Sequence, residues 1–180
     1  IPKPLIQAIL ATEDKNFFSH QGVDFLGLLR AGKKLLLTGR KAEGASTITM
    51  QVARNMFLSR KKTFSRKIAE IVLALKIEHE FSKDQILELY LNRIFFGEQS
   101  YGVRTAARNY YGLQVKDLNL AQMAMLAGLP KAPSRNNPIV NPAKAKERRN
   151  HVLKRMLQRQ HIDQQTYEAT IQAPVTAKHH

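Results

Sequence analysis

"ILATEDKNFFSHQG", residues 9 to 22, sets an apolar run against two adjacent carboxylates, Glu13 and Asp14, and follows them with Phe17, Phe18, His20 and Gly22. The apolar part has helical spacing and predicts a short helix over about Pro4 to Thr12, since proline is tolerated in a first turn. Adjacent residues do not share one helical face. Only one of the two acids can therefore point into a given site, leaving the other to cap, bind a cation or contact a basic side chain. Phe17 and Phe18 could reduce local solvation, which raises a carboxylate pKa toward the range of a general base near neutrality. His20 could hydrogen-bond the backbone and hold the acidic turn in shape, or transfer a proton itself. The structural role is the better reading, because no second histidine stands close enough to suggest a metal pair.

Outward from this stretch the apolar spacing stays helical nearly throughout, with no sustained two-residue alternation, so a mostly α-helical domain is expected. "DFLGLLRAGKKLLLTG" predicts a helix from Asp24 to about Leu37, with Asp24 as N-cap and Thr38-Gly39 as its stop. "TGRKAEGAS" reads as a basic, glycine-containing loop. Ser46 can cap a helix running to about Phe57, and Thr63 or Ser65 a longer one to about Glu80. "SKDQILELYLN", residues 82 to 92, runs into the turn-like "RIFFGEQSYG". Further helices fall at about 103–110, 119–128, 142–160 and 163–171, and the proline- and asparagine-rich "LPKAPSRNNPIVNP" at 129–142 is an ordered loop.

The length of 180 residues fits one domain with a buried core. Lys plus Arg number 29 against 14 Asp plus Glu, a formal charge of +15, which favours an anionic partner: nucleic acid, an anionic membrane surface or a phosphorylated substrate. The absence of cysteine excludes a disulfide framework and a thiolate nucleophile. No apolar run reaches membrane-span length and the first residues lack a signal-peptide pattern. An opening at Ile1 fits an excised piece of something larger, so an anchor upstream stays open. Zinc-finger spacing and basic-aromatic recognition clusters are missing, as are GxGxxG, Walker A, GxSxG and HExxH motifs.

The candidate chemistry sits in three further segments. In "EGASTITMQVARN", Thr47, Gln51 and Arg54 or Asn55 recur at three- and four-residue intervals and can line a polar face, with Ile48, Val52 and Met56 toward the core. A hydroxyl, an amide and a guanidinium suit sugar and phosphate oxygens, and Gly44 permits close approach of the preceding loop. An ordinary capped amphipathic helix is the bland alternative. In "FSRKIAEIVLALKIEHE", Arg66 and Glu70 can pair across a turn; on a face open to substrate, Arg66 and Lys67 could instead stabilise a pyrophosphate, with Glu70 orienting them or holding a hydrated cation. In "QILELYLNRIFFG", Leu87 and Leu91 read as packing residues, Tyr90 as packing by default although its hydroxyl could contact a ligand, and Asn92 as a helix-end cap. Met123 and Met125 read as packing as well. Residues 24 to 37, with Phe, six Leu, two Lys and Arg30, could lie in a membrane interface, long cationic side chains reaching headgroups, or form a covered core helix.

In order, "ATEDKNFFSHQG" at 11–22, "GASTITMQVARN" at 44–55, "RKIAEIVLALKIE" at 66–78, "ILELYLNRIFFG" at 86–97 and "GLPKAPSRNNP" at 128–138 resemble the glycosyltransferase domain of class A penicillin-binding proteins, the family 51 peptidoglycan glycosyltransferases. The wording is most like the 1A type. The resemblance implies a mainly helical, lysozyme-like fold with a large lobe and a smaller membrane-associated jaw, residues 24 to 62 contributing much of the jaw in a single domain spanning 1–180. It implies polymerisation of lipid II into β-1,4-linked glycan at the extracytoplasmic face of the bacterial inner membrane, with an anchor upstream of this fragment. It implies lipid II, the growing glycan chain, an anionic membrane surface and other cell-wall synthesis proteins as partners, and no nucleic acid. The SxxK, SxN and KTG set of the transpeptidase is missing.

Carried over residue by residue, the resemblance makes Glu13 the general base and puts Asp14, His20, Ser46, Thr47, Gln51, Arg54, Asn55, Arg66 and Lys67 at the substrate. Glu70 takes an orienting or electrostatic role. No cofactor is obligatory; a divalent cation such as Mg or Mn is allowed, with Asp14 or Glu70 contributing. Met50 departs from the pattern, standing where many relatives have Gln. A lytic muramidase-like enzyme and a noncatalytic module binding DNA or anionic membranes are the competing classes.

Overall fold

The computed structural model describes residues 1–39, 46–58 and 64–180. Two expectations, the close approach at Gly44 and the cap at Thr63, lie outside the described residues, as does most of the basic loop. Among the described residues there are helices and no strand, only an isolated antiparallel bridge between Phe95 and Tyr101. In chain order the helices are α1 (Lys3–Glu13), α2 (Phe25–Thr38), α3 (Ile48–Phe57), α4 (Phe64–Glu80), α5 (Lys83–Arg93), α6 (Val103–Tyr111), α7 (Leu120–Gly128), α8 (Pro142–Gln158) and α9 (Gln164–Ile171). A 3₁₀ turn at Val115–Asp117 is the one addition to the predicted set. The chain divides into two compact units: Ile1–Thr12 with Ile94–His180, and Glu13–Arg93.

The first unit is organised on α7, seven of whose nine residues are buried. Asn119 and Gln122 close a reciprocal capping box at its start. Its alanine-rich surface and final Gly128 let α8 come close; a Cβ on Gly128 would sit 2.9 Å from Arg148 Cγ. Met123 and Met125 pack there as expected. Arg149 on α8, only 1% exposed, donates to the carbonyls of Ala173 at 2.7 Å and Ile171 at 3.0 Å and to Asn150 Oδ1. Burial lowers its pKa, but the carbonyl dipoles satisfy the charge that a lone guanidinium would leave stranded. The Glu98-Gln99 turn, both residues at positive φ, is held from inside by Tyr110, whose hydroxyl donates to the Phe96 carbonyl at 2.9 Å.

The second unit is built around α3, which packs on both α4 and α5. Six consecutive residues, Ile48 to Ala53, are buried. Val23, Met50 and Ala74 form a small core, with Leu28 and Ile71 against it. Met50, the departure from the family pattern, is fully buried there and contributes apolar volume. Met56, expected to face the core, is instead 38% exposed, because the burial of α3 ends one turn before the helix does. The cap of α3 is Thr47, one residue later than the expected Ser46. Its hydroxyl accepts from Met50 N at 3.1 Å and donates to the Gly22 carbonyl at 2.6 Å, two roles that a single hydroxyl can fill at once. Asn92, expected to cap α5, lies inside its last turn and is exposed.

Helix α2 has no buried residue at all. It is closed at both ends as predicted: Asp24 accepts from Gly27 N at 2.8 Å, and Gly39 ends it in the left-handed conformation.

Two expected outcomes follow. Gly22 sits at φ +91°, and a Cβ there would fall 2.7 Å from the Ala74 carbonyl oxygen of α4. Gly22→Ala should therefore cost roughly 1–3 kcal/mol, read from urea unfolding. Asp24 titrates below the usual 3.8, chiefly through the Gly27 amide bond. A depressed folded pKa contributes stability that is complete above the unfolded value and lost as pH falls through the folded one. Asp24→Asn should flatten the fall of the urea midpoint below about pH 4 relative to the parent.

Candidate functional site

The acidic stretch leaves α1 at Glu13 and turns back on itself, and the second unit decides where each acid points. Asp14, 7% exposed, turns inward. Its Oδ2 accepts from His20 Nε2 at 2.8 Å and from the backbone N of Ile48 at 3.0 Å. Ile48 opens α3, so the carboxylate satisfies one of that helix's unpaired amides at the positive end of its dipole. The other ring nitrogen of His20, Nδ1, accepts from Gly22 N at 3.0 Å. With Nδ1 accepting, Nε2 is the nitrogen that carries the hydrogen, and it donates to Asp14. The expectation that His20 holds the turn in shape is the geometry observed.

Glu13, the neighbouring acid, is half-buried and faces α3, where Gln51 Nε2 donates to its Oε2 at 3.2 Å. The two acids thus diverge, as adjacent positions require. Phe17 is 1% exposed and edge-on to the His20 ring, with centroids 6.2 Å apart. Phe18 is 62% exposed and meets the Phe17 ring edge-on, with centroids 5.1 Å apart, so of the two rings expected to reduce local solvation only Phe17 is buried.

Gln51 and Thr47 are buried, Arg54 is half-buried, and Asn55 is exposed with its amide tied to the Gln51 carbonyl at 2.7 Å. At the other end of α3, Ser46 accepts from Lys67 Nζ at 2.9 Å. Lys67 Nζ also lies 3.2 Å from Glu70 Oε2, while Arg66 Nε makes a charge contact of 3.3 Å with Glu70 Oε1. Glu70, 1% exposed, is thereby flanked by two cations, Lys67 with its side chain 37% exposed and Arg66 with its own at 16%. α3 carries both ends of the constellation: Ser46, just before it, meets Lys67, and Gln51 meets Glu13.

Two side chains in this unit were not among the site residues expected from sequence. Tyr90 packs, as expected, but its buried hydroxyl has no hydrogen-bond partner among the described residues, and burial first and the Glu13 charge second push its pKa well up. Lys83 is the first residue of α5, where a cation opposes the helix dipole. That mismatch was the readable signal. Its Nζ donates to the His20 carbonyl at 2.6 Å and to Glu78 Oε1 at 2.6 Å, and stands 4.6 Å from the Phe17 ring centroid.

The two carboxylates proposed for a divalent cation have other partners here: Asp14 Oδ2 accepts from His20 and Ile48, and Glu70 contacts Arg66 and Lys67. Among the described residues no group of three His, Asp or Glu is arranged to hold a metal.

The transglycosylase family model matches residues 1–157, and the chain belongs to that family. It is 55% identical over its whole length to penicillin-binding protein 1A of Pseudomonas aeruginosa and 48% identical to penicillin-binding protein 1A of Escherichia coli, covering 22% and 21% of those proteins. A putative transglycosylase of Cupriavidus necator is 48% identical over 97% of the chain, which covers 75% of that protein. The crystal structure of penicillin-binding protein 1A from Haemophilus influenzae matches 99% of the chain and 17% of that protein, with a TM-score of 0.61 at 32% identity. The family resemblance carried by the five motifs and the mainly helical fold expected from the apolar spacing are both borne out.

Asp14→Ala should strand the Ile48 amide and the His20 ring. A loss of about 2–4 kcal/mol in urea unfolding is expected, together with faster hydrogen exchange at the Ile48 amide.

Proposed function

We propose that the chain is a peptidoglycan glycosyltransferase that joins lipid II units into β-1,4-linked glycan, with Glu13 as the general base. The observation that carries this reading is the divergence of the two acids: Asp14 turns inward to His20 and the start of α3, while Glu13 is half-buried and faces α3, where Gln51 donates to it. In a transglycosylase, a partly desolvated carboxylate beside an amide is suited to receive a proton from a sugar alcohol.

The 4-hydroxyl oxygen of the acceptor N-acetylglucosamine attacks the anomeric carbon of the donor N-acetylmuramic acid. Its proton passes to Glu13. The bond from that carbon to the phosphate oxygen breaks on the opposite face, and polyprenyl diphosphate leaves with the electron pair. Attack opposite the leaving group turns an α linkage into a β one. Arg66 and Lys67, with Arg54, supply positive charge where the diphosphate accumulates negative charge, and Glu70 holds the first two in place. Ser46, just before α3, and Asn55, exposed near its end, contribute polar contacts to the sugars, while the buried Thr47 hydroxyl is committed to Met50 N and the Gly22 carbonyl. A lytic reading would need water in place of the acceptor alcohol, and no feature of the site favours it.

The substrate is a lipid, and α2 supports contact with a membrane. Leu26, Leu29, Leu36 and Leu37 are more than 70% exposed, and Arg30, Lys33 and Lys34 stand among them. On α4, Ile68 and Val72 are exposed as well. Apolar side chains interleaved with cations fit an anionic bilayer surface, long stems in the acyl boundary and charges at the headgroups. We assign α2, within residues 24–62, to the membrane-associated jaw, and place the enzyme at the extracytoplasmic face of the inner membrane. None of the described helices is long and apolar enough to cross a membrane.

Glu13→Gln should lower the rate of lipid II polymerisation by roughly 10²–10⁴-fold while donor binding is kept. The check is product analysis on purified lipid II in detergent or bilayers. Equal product from the variant would remove Glu13 from the base role.

A further inference from the structure

The loop that carries the two acids is clasped from three helices. From α3 come the Ile48 amide and the Thr47 hydroxyl, on Asp14 and the Gly22 carbonyl. From α4 comes close backbone contact at Gly22. The third clasp is Lys83 of α5, and it is the only one of them made by a side chain whose position costs its own helix something. Its ammonium has three donors and three destinations: the His20 carbonyl, Glu78 and the face of Phe17. Glu78, 8% exposed, also accepts from Thr49 Oγ1 at 2.7 Å, so α3, α4 and α5 meet at this carboxylate. His20 is therefore gripped at its carbonyl by Lys83 and at its ring by Asp14 and Gly22.

We propose that Lys83 is a positioning residue for glycosyl transfer: paired with Glu78, it fixes the His20 carbonyl and through that residue the turn from which Glu13 projects. The proposal rests on the reading of Glu13 as base. A reacting group displaced by about 1 Å can lose on the order of 10²-fold in rate, so the clasp acts on turnover more than on binding. Arginine is not an equivalent replacement, since its planar fork cannot direct donors to a carbonyl, a carboxylate and a ring as a compact ammonium does.

The test compares Lys83→Met, Lys83→Arg and Lys83→Cys with the parent chain on purified lipid II, and follows hydrogen exchange at the Ile48 and Gly22 amides. Lys83→Met should lose about 10–100-fold in kcat with KM within about twofold, and both amides should exchange faster. Lys83→Arg, which keeps the charge if Lys83→Met does not fold, should fold and still lose kcat. Because the chain has no native cysteine, 2-bromoethylamine can convert the Lys83→Cys side chain alone to a lysine analogue. That treatment should restore turnover, and iodoacetamide should not.

Thr49→Val removes the other donor to Glu78 without touching the loop, and should keep kcat within about twofold even where it lowers stability. Parent-like kcat in Lys83→Met or Lys83→Arg, a Thr49→Val loss of the same size, failure of aminoethylation to rescue, or unchanged exchange at both amides would each overturn the proposal. Full activity in Glu13→Gln would instead sink the base assignment, and the exchange data would still decide whether Lys83 holds the loop.

Discussion

One oxygen atom organises the second unit. Asp14 Oδ2 takes the His20 ring and the first amide of α3 together, and so joins the end of α1 to a helix that begins 34 residues later. A buried carboxylate is tolerated only with such donors, and a helix start offers them ready-made. The peptide unit between Glu13 and Asp14 is planar, so anchoring the second acid restricts where the first can point. The direction of Glu13 is in this sense inherited from its neighbour, with Gln51 completing it.

α3 is where stability and chemistry cannot be separated. Its buried run, Ile48 to Ala53, fills the space between α4 and α5, yet Thr47 and Gln51 on the same helix hold the Gly22 carbonyl and the Glu13 carboxylate. The basic pair is coupled to it too, since Lys67 reaches Ser46 as well as Glu70. Lys67 is thus spaced by a contact within its own helix and steered by one from outside. Charges arranged in this way need little reorganisation when a leaving group develops negative charge beside them.

Helices were legible nearly to the residue, because apolar period, Asp24, Asn119 and Asp163 as caps, and Gly39 as a stop all act locally. The motif residues were legible through resemblance. What sequence could not supply was partnership over distance. Ser46 and Thr47 are equally good caps on paper, and the choice is made by the Gly22 carbonyl and by Lys67, which lie elsewhere in the chain. Phe17 and Phe18 are chemically alike, and only packing decides that one is buried and the other faces water. The partners of Lys83, Glu78 and the His20 carbonyl, are not visible as such without the fold.

The exposed helix α2 obeys different rules from the rest of the second unit. It is secured by its ends, at Asp24 and Gly39, and by the partial packing of Leu28. Exchanging an outer leucine for a polar residue would therefore leave a melting curve in water almost unmoved. Selection on those positions can come only from whatever medium lies against them, so their drift among homologues would record the surroundings of the protein and not the demands of its folding.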